Sequence, residues 1–282
     1  MAQNQSASLS TAPGLRPAGN STHSKPRNGS GPRTFDALLE LPRIMLEMSK
    51  LSMSWPMLLQ AAPNGEPHPV MVLPGFMGGD ESTLVLRRFL TRLGYKVLPW
   101  LQGTNTGNPG QLEAAMLRFY RLQHAFETRI SLVGQSLGGV YARQIAREFP
   151  DAVRCVITLG SPYGVNGSGQ TNPLVARMFE QMSGVSVEQM RELMPTDRGE
   201  HERLSMPATS VYSKEDGVVS WEACVEPETE LSENIRVLAS HSGMAMNADV
   251  LHIVADRLAQ DPDNWRRFQS RRGFYGFLFP SS

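Results

Sequence analysis

Along the chain, short apolar runs alternate with segments in which apolar residues recur every three or four positions. The runs are "VMVLPG" (70–75), "KVLPW" (96–100), "ISLVG" (130–134), "RCVITLG" (154–160), "ATSVYS" (208–213) and "IRVLAS" (235–240). None alternates strictly between apolar and polar, and each is bounded by Gly, Pro or Ser, the texture of strands buried on both faces. Helical patterns fall between them, around 81–93, 111–127, 137–149 and 248–260. Strand and helix in alternation predict an α/β fold: a doubly wound, mostly parallel sheet with helices on both faces.

Two segments depart from that rhythm. From Phe35 to Gln60, Leu38, Leu41, Met45, Met48 and Leu51 follow the helical period with charges between them. This predicts a lead-in helix over 34–62, started or kinked by Pro42. The apolar stripe is expected to pack on the domain; Met45, Met48, Met53 and Met57 would also suit an adaptable surface for lipid or an acyl chain. Between Pro162 and Pro207, the loop "VNGSGQTN" leads into "PLVARMFEQM" and "SVEQMRELM". That is too long for one crossover, and predicts an inserted helical lid at about 163–206 over the carboxyl edge of the sheet.

The main domain is then expected over 63–282. Residues 1–33 are rich in Ser, Pro, Gly and Asn and carry Arg16, Lys25, Arg27 and Arg33 without one acid. Such a segment buries too little apolar surface to offset its ordering entropy, so a disordered tail is expected. It lacks the apolar middle of a secretory signal and the amphipathic helix of a transit peptide. Glu40, Arg43, Glu47 and Lys50 interrupt the most apolar stretch before it reaches a bilayer-spanning length. The expected location is the cytoplasm.

Composition narrows the chemistry. Lys plus Arg (27) balance Asp plus Glu (27), so nothing asks for a nucleic acid or another polyanion as partner. Cys155 and Cys224 lack C-x-x-C spacing and read as two free thiols, with no metal site and no cofactor expected.

The strongest local signal is "LVGQSLGGVYARQIAREFP" (132–150), one serine between glycines at a strand-to-helix junction. A sharp reversal there brings neighbouring backbone close, so only glycine fits two residues either side of the serine. The gain is an exposed Ser136 hydroxyl at a helix amino end, where backbone N–H groups favour developing negative charge. A serine needs a base, and that base needs an acid to fix its tautomer. In this architecture they follow later strands in the order Ser, acid, His. Asp216 in "VYSKEDGVVSW", preferred to the adjacent Glu215, precedes the turn-forming Gly217; His241 in "RVLASHSGM" directly follows the last strand. Of the six histidines, His23 falls in the tail, His68 before a strand, His124 and His252 within helical patterns and His201 in the lid. An oxyanion needs donors as well. The Leu137 N–H is one; Phe76 N–H, in the glycine-rich loop "VLPGFMGGDEST", is the second.

"GQSLGG", "LGSPYG", "SKEDGVV", "SHSGM" and "VLPGFMGG" together resemble the α/β-hydrolase superfamily, in particular its bacterial triacylglycerol lipase and esterase branch. The resemblance covers roughly Pro69 to Arg257. It implies a Ser136–Asp216–His241 triad and a metal-independent chemical step. Pro74-Gly75 and Gln135 stand where that branch commonly has His-Gly and His. Backbone donors survive this change; a substrate preference taken from the branch does not.

The expected function is hydrolysis of carboxylic esters through an acyl-enzyme, with a small-molecule ester, carrying an acyl chain, as substrate. The same triad would serve an acyltransferase or thioesterase, and the fold alone would serve a non-catalytic binding protein. At the carboxyl end, "NWRRFQSRRGFYGFLFP" interleaves arginines with aromatics, a composition that can make peripheral contact with an anionic membrane or dock the tail on the domain.

Overall fold

The computed structural model describes residues 34–163, 171–187, 189 and 203–269. The expected disordered tail (1–33), most of the second half of the expected lid and the aromatic residues after 269 lie outside the described residues. The elements run α1 (Thr34–Ala61), β1 (Pro69–Leu73), α2 (Leu84–Arg92), β2 (Lys96–Leu98), α3 (Pro109–Phe126), β3 (Ile130–Gln135), α4 (Leu137–Glu148), β4 (Val153–Leu159), α5 (Pro173–Ser183), β5 (Ala208–Ser213), β6 (Ser232–Val237) and α6 (Ala248–Ala259). The strands form one sheet in the order β2-β1-β3-β4-β5-β6, each neighbouring pair parallel.

Alternate strand residues feed two cores. Val70 and Val72 face a layer built with Leu51 and Leu58 of α1, Phe89 and Leu90 of α2, and Val250 and Val254 of α6. Met71 and Leu73 face the other layer, with Phe119 of α3 and Tyr141 and Ile145 of α4. Both faces are therefore covered, which is why the strands read as continuous apolar runs. Since β1 lies between β2 and β3, the chain reverses its winding there. The crevice at the carboxyl ends of β1 and β3 is the expected place for a ligand.

Three sequence expectations need correction. The lead-in helix packs on the domain as expected, through Leu51 and Leu58, but of the stripe Leu38, Leu41, Met45 and Met48 are exposed and only Leu51 is buried. Pro42 does not start the helix, which begins at Thr34 and runs on through it and through Pro56. Both prolines are exposed, as are Leu38 and Ser52 four residues before them. The carbonyls that lose an N–H partner thus face water, where solvation compensates. Last, the final strand lies at 232–237 rather than 235–240. Its polar start hid it from a pattern search: Glu233 accepts from Thr209 Oγ1 (3.0 Å) and Arg257 Nη1 (2.7 Å) and so is buried without being apolar.

Within the expected lid, α5 is described. Asn172 caps it by accepting from Leu174 N (3.0 Å), with Pro173 in its first turn. Cys155 and Cys224 are buried free thiols. Trp265 to Gln269 begin the carboxyl-terminal stretch against the domain, with Phe268 packed on the first core and Arg267 paired to Glu228 at 2.6 Å.

Candidate active site

Ser136 sits between β3 and α4 with φ 51° and ψ −123°, a conformation that L residues rarely adopt and that is kept only where the surroundings enforce it. The glycines make that turn sterically possible. A Cβ on Gly134 would overlap the Gly138 carbonyl, and one on Gly138 would overlap the carbonyl of Leu73. The second clash shows how closely α4 begins against the end of β1.

That closeness brings the loop after β1 to the serine. A Cβ on Gly75 would lie 3.0 Å from Ser136 Cβ and 3.8 Å from its Oγ, so the Gly75–Phe76 backbone forms one wall of the crevice. Met77 N donates to Asn105 O (2.7 Å), Asn105 N to Gly78 O (2.7 Å) and Asn105 Nδ2 to Pro74 O (2.9 Å), which fixes the loop. Among the described residues, neither Phe76 N–H nor Leu137 N–H donates to a protein acceptor. The Phe76 ring meets Phe179 of α5 edge-on at 5.2 Å, placing α5 over this wall.

Asp216 and His241 are brought together. His241 Nδ1 lies 2.6 Å from Asp216 Oδ2, and both residues are buried. The other carboxylate oxygen accepts from Val218 N and Val219 N, each at 2.8 Å, so Asp216 is held by its own turn. Glu215, the rejected alternative, points to Arg236 (3.1 Å) and Ser213 (3.1 Å) instead. Gln135, adjacent to the serine, donates from Nε2 to the His241 carbonyl at 3.0 Å and ties the histidine loop beside the strand that ends at Ser136. Among the described residues no hydrogen bond joins Ser136 Oγ to His241. Hydrogen bonds of this kind commonly tighten only when substrate is bound.

Of the other histidines, His68 bridges Glu66 O (2.9 Å) and Ser131 Oγ (2.8 Å) in the core, and burial lowers its pKa. His124 stacks edge-on against Tyr120. His23 and His201 lie outside the described residues.

Sequence reasoning missed what holds the two loops. Glu40 of α1 accepts from Gly217 N (3.1 Å) and His241 N (3.0 Å) with one oxygen and from Ser242 N (3.3 Å) with the other. Glu47, two turns on, accepts from Ser240 N and Ser240 Oγ, both at 2.7 Å. Arg43 donates to the Glu215 carbonyl and pairs with Asp36 at 2.9 Å. Positions 36, 40, 43 and 47 share one helical face, and that spacing was the available signal.

These charges act on His241. Burial, the largest influence on His241, disfavours its charged form. The Asp216 charge and hydrogen bond, with the Glu40 charge, outweigh it and raise the pKa above the ordinary 6.5. A group raised on folding contributes stability below its unfolded pKa and loses it as pH rises through the folded value. By the same sign, the neutral imidazole that a general base requires forms only above that folded value. Glu40→Gln removes one raising charge, so the acid limb of any His241-dependent rate should move to lower pH. An unmoved midpoint in the pH–kcat/KM profile would contradict this electrostatic assignment.

No protein-family model and no curated protein matches the chain by sequence. Solved structures do resemble it. Aspergillus fumigatus lipase B has a TM-score of 0.52 at 17% identity, covering 73% of this chain and 59% of that one, so the chain spans under two thirds of that enzyme's length. The 2,6-dihydroxy-pseudo-oxynicotine hydrolase gives 0.51 at 17% identity, over 71% of this chain and 63% of that chain. Paleococcus ferrophilus monoacylglycerol lipase gives 0.50 at 16% identity, over 69% and 97%. Identities this low speak for architecture, and in architecture this chain has the α/β-hydrolase fold.

Proposed function

We propose that the protein is a serine hydrolase of carboxylic esters. The observation that carries the reading is the buried Asp216–His241 pair at 2.6 Å, tied through Gln135 to the strand whose end presents Ser136 at φ 51°. His241 Nε2 takes the Ser136 proton while Oγ bonds to the ester carbonyl carbon. The N–H groups of Phe76 and Leu137 hold the oxyanion. The C–O bond to the alcohol breaks, the alcohol leaves with the proton from His241, and water, deprotonated in turn by His241, releases the acid and frees Ser136. Asp216 fixes the tautomer with Nδ1–H toward itself and balances the imidazolium charge.

Apolar side chains around the serine favour an acyl chain as the recognised part. Phe76 and Leu137, on the two sides of the crevice, pack on the second core and Phe76 meets Phe179 of α5, and α5 serves as a cover on that side of the crevice. The test is labelling with a fluorophosphonate, followed by p-nitrophenyl esters of graded chain length. Expected results are one label, on Ser136, and turnover that rises from the shortest chains before falling. An unlabelled Ser136 would mean an unactivated hydroxyl and remove the hydrolase reading.

A further inference from the structure

Helix α1 is amphipathic in the inverted sense. It carries five charged residues, Asp36, Glu40, Arg43, Glu47 and Lys50. The first four share the face that grips the loops of Asp216 and His241. The opposite face has no charge, and Leu38, Leu41, Met45 and Met48 on the outward side are between 46% and 75% exposed. Surface helices ordinarily bury the apolar stripe and solvate the charged one. A contiguous outward row of large apolar side chains marks an interaction surface.

We infer that this face of α1 seats the protein on an anionic lipid surface. Unbranched methionines adapt to disordered acyl chains as readily as to a fixed partner. Directly before α1, 33 residues carry Arg16, Lys25, Arg27 and Arg33 and no acid, so the positive charge that balances the chain as a whole is concentrated beside this helix. Such a basic flank supplies the electrostatic attraction that an in-plane helix needs in addition to its apolar contact. A second exposed apolar face lies across the acid loop. While Glu40 accepts from Gly217 N on one side of that loop, Asn172 N donates to Val218 O (2.8 Å) on the other, at the start of α5. There Leu174, Met178 and Met182 are again exposed. Two apolar helix faces thus flank the carboxyl edge of the sheet, and a lipid layer against them would lie beside Ser136. Among the described residues no helix is long and apolar enough to cross a membrane, so the contact is peripheral.

The experiment uses the full chain as Ser136→Ala, so that binding is read without catalysis and its failure is separate from that of the hydrolase reading. Sedimentation with vesicles of phosphatidylcholine alone is compared with vesicles of phosphatidylcholine mixed with phosphatidylglycerol. The mixed vesicles should bind about tenfold more tightly or better, and the difference should shrink as salt rises. Adding Leu38→Ser, Leu41→Ser and Met45→Ser together should weaken that binding by about tenfold or more. Independently, Met45→Cys carrying a polarity-sensitive fluorophore, selective because Cys155 and Cys224 are buried, should shift its emission to the blue on mixed vesicles. The proposal is overturned by equal binding to both vesicle types, by full binding of the triple variant, or by an unmoved emission. It is equally overturned by a concentration-dependent dimer in vesicle-free buffer that the triple variant abolishes, which would assign the face to a second copy of the chain.

Discussion

Ser136→Ala should reduce turnover of a p-nitrophenyl ester by on the order of 10⁴-fold or more, with kcat falling rather than KM rising. In the proposed reaction the hydroxyl bonds to substrate only after the ground state, so its loss is felt in the barrier and not in binding. Residual catalysis would come from the oxyanion donors, which are backbone groups and remain in the variant. Asp216→Asn tests the same unit differently. The Oδ2 that faces His241 Nδ1 at 2.6 Å would become an amide or present the wrong tautomer to it, and a loss of about 10⁴-fold in kcat is expected. Steady-state rates on the two purified variants check both. If Ser136→Ala turned over at the parent rate, the hydrolysis would belong to some other group.

The largest expected effect on stability lies away from the serine. Arg143 on α4 and Glu226 on the segment joining β5 to β6 form a bidentate pair, Nη1 to Oε1 and Nη2 to Oε2 each at 3.0 Å. Their side chains are 1% and 6% exposed, and the guanidinium lies 4.0 Å over the Tyr163 ring. Glu226 is in turn fixed by Asn234, which accepts from its N–H (3.0 Å) and donates to its carbonyl (2.7 Å). Glu226→Ala removes the carboxylate that faces this buried guanidinium with both oxygens, at a cost of about 3–5 kcal/mol. For a domain of this size that lowers Tm by about 6–20 °C. Replacing both partners together, Arg143→Met with Glu226→Leu, should cost much less, because no charge is stranded. Thermal unfolding of the single and double variants decides it: equal losses would show that shape, and not charge pairing, is what the site supplies.

Neither residue of that pair was legible in the chain. Arg143 sits in "VYARQIARE" and Glu226 in a loop, and nothing in their spacing relates them. Glu40 and Glu47 offered only their shared helical face as a signal, and it gave no hint of the loops they hold. Local pattern was more informative where one physical constraint acts over a few residues. The glycines around Ser136 are demanded by a turn whose clashes are all within a short reach in sequence or with the adjoining strand. The runs that became β1, β3, β4 and β5 are apolar because both faces of the sheet are covered. The helical pattern at 111–127 became α3, which starts two residues earlier, where Asn108 accepts from Gly110 N (2.9 Å) and Pro109 opens the helix.

By itself, then, the amino-acid order determined the alternating elements, the parallel sheet and the strained serine, because periodicity, sterics and turn chemistry act between near neighbours. Only the tertiary structure decided which face of α1 turns inward and which buried charges meet. It also decided that the carboxylates of a leading helix hold loops some two hundred positions away. Those choices depend on electrostatic and hydrogen-bond satisfaction across long chain separations, where a residue's partner is set by the packing of the whole sheet.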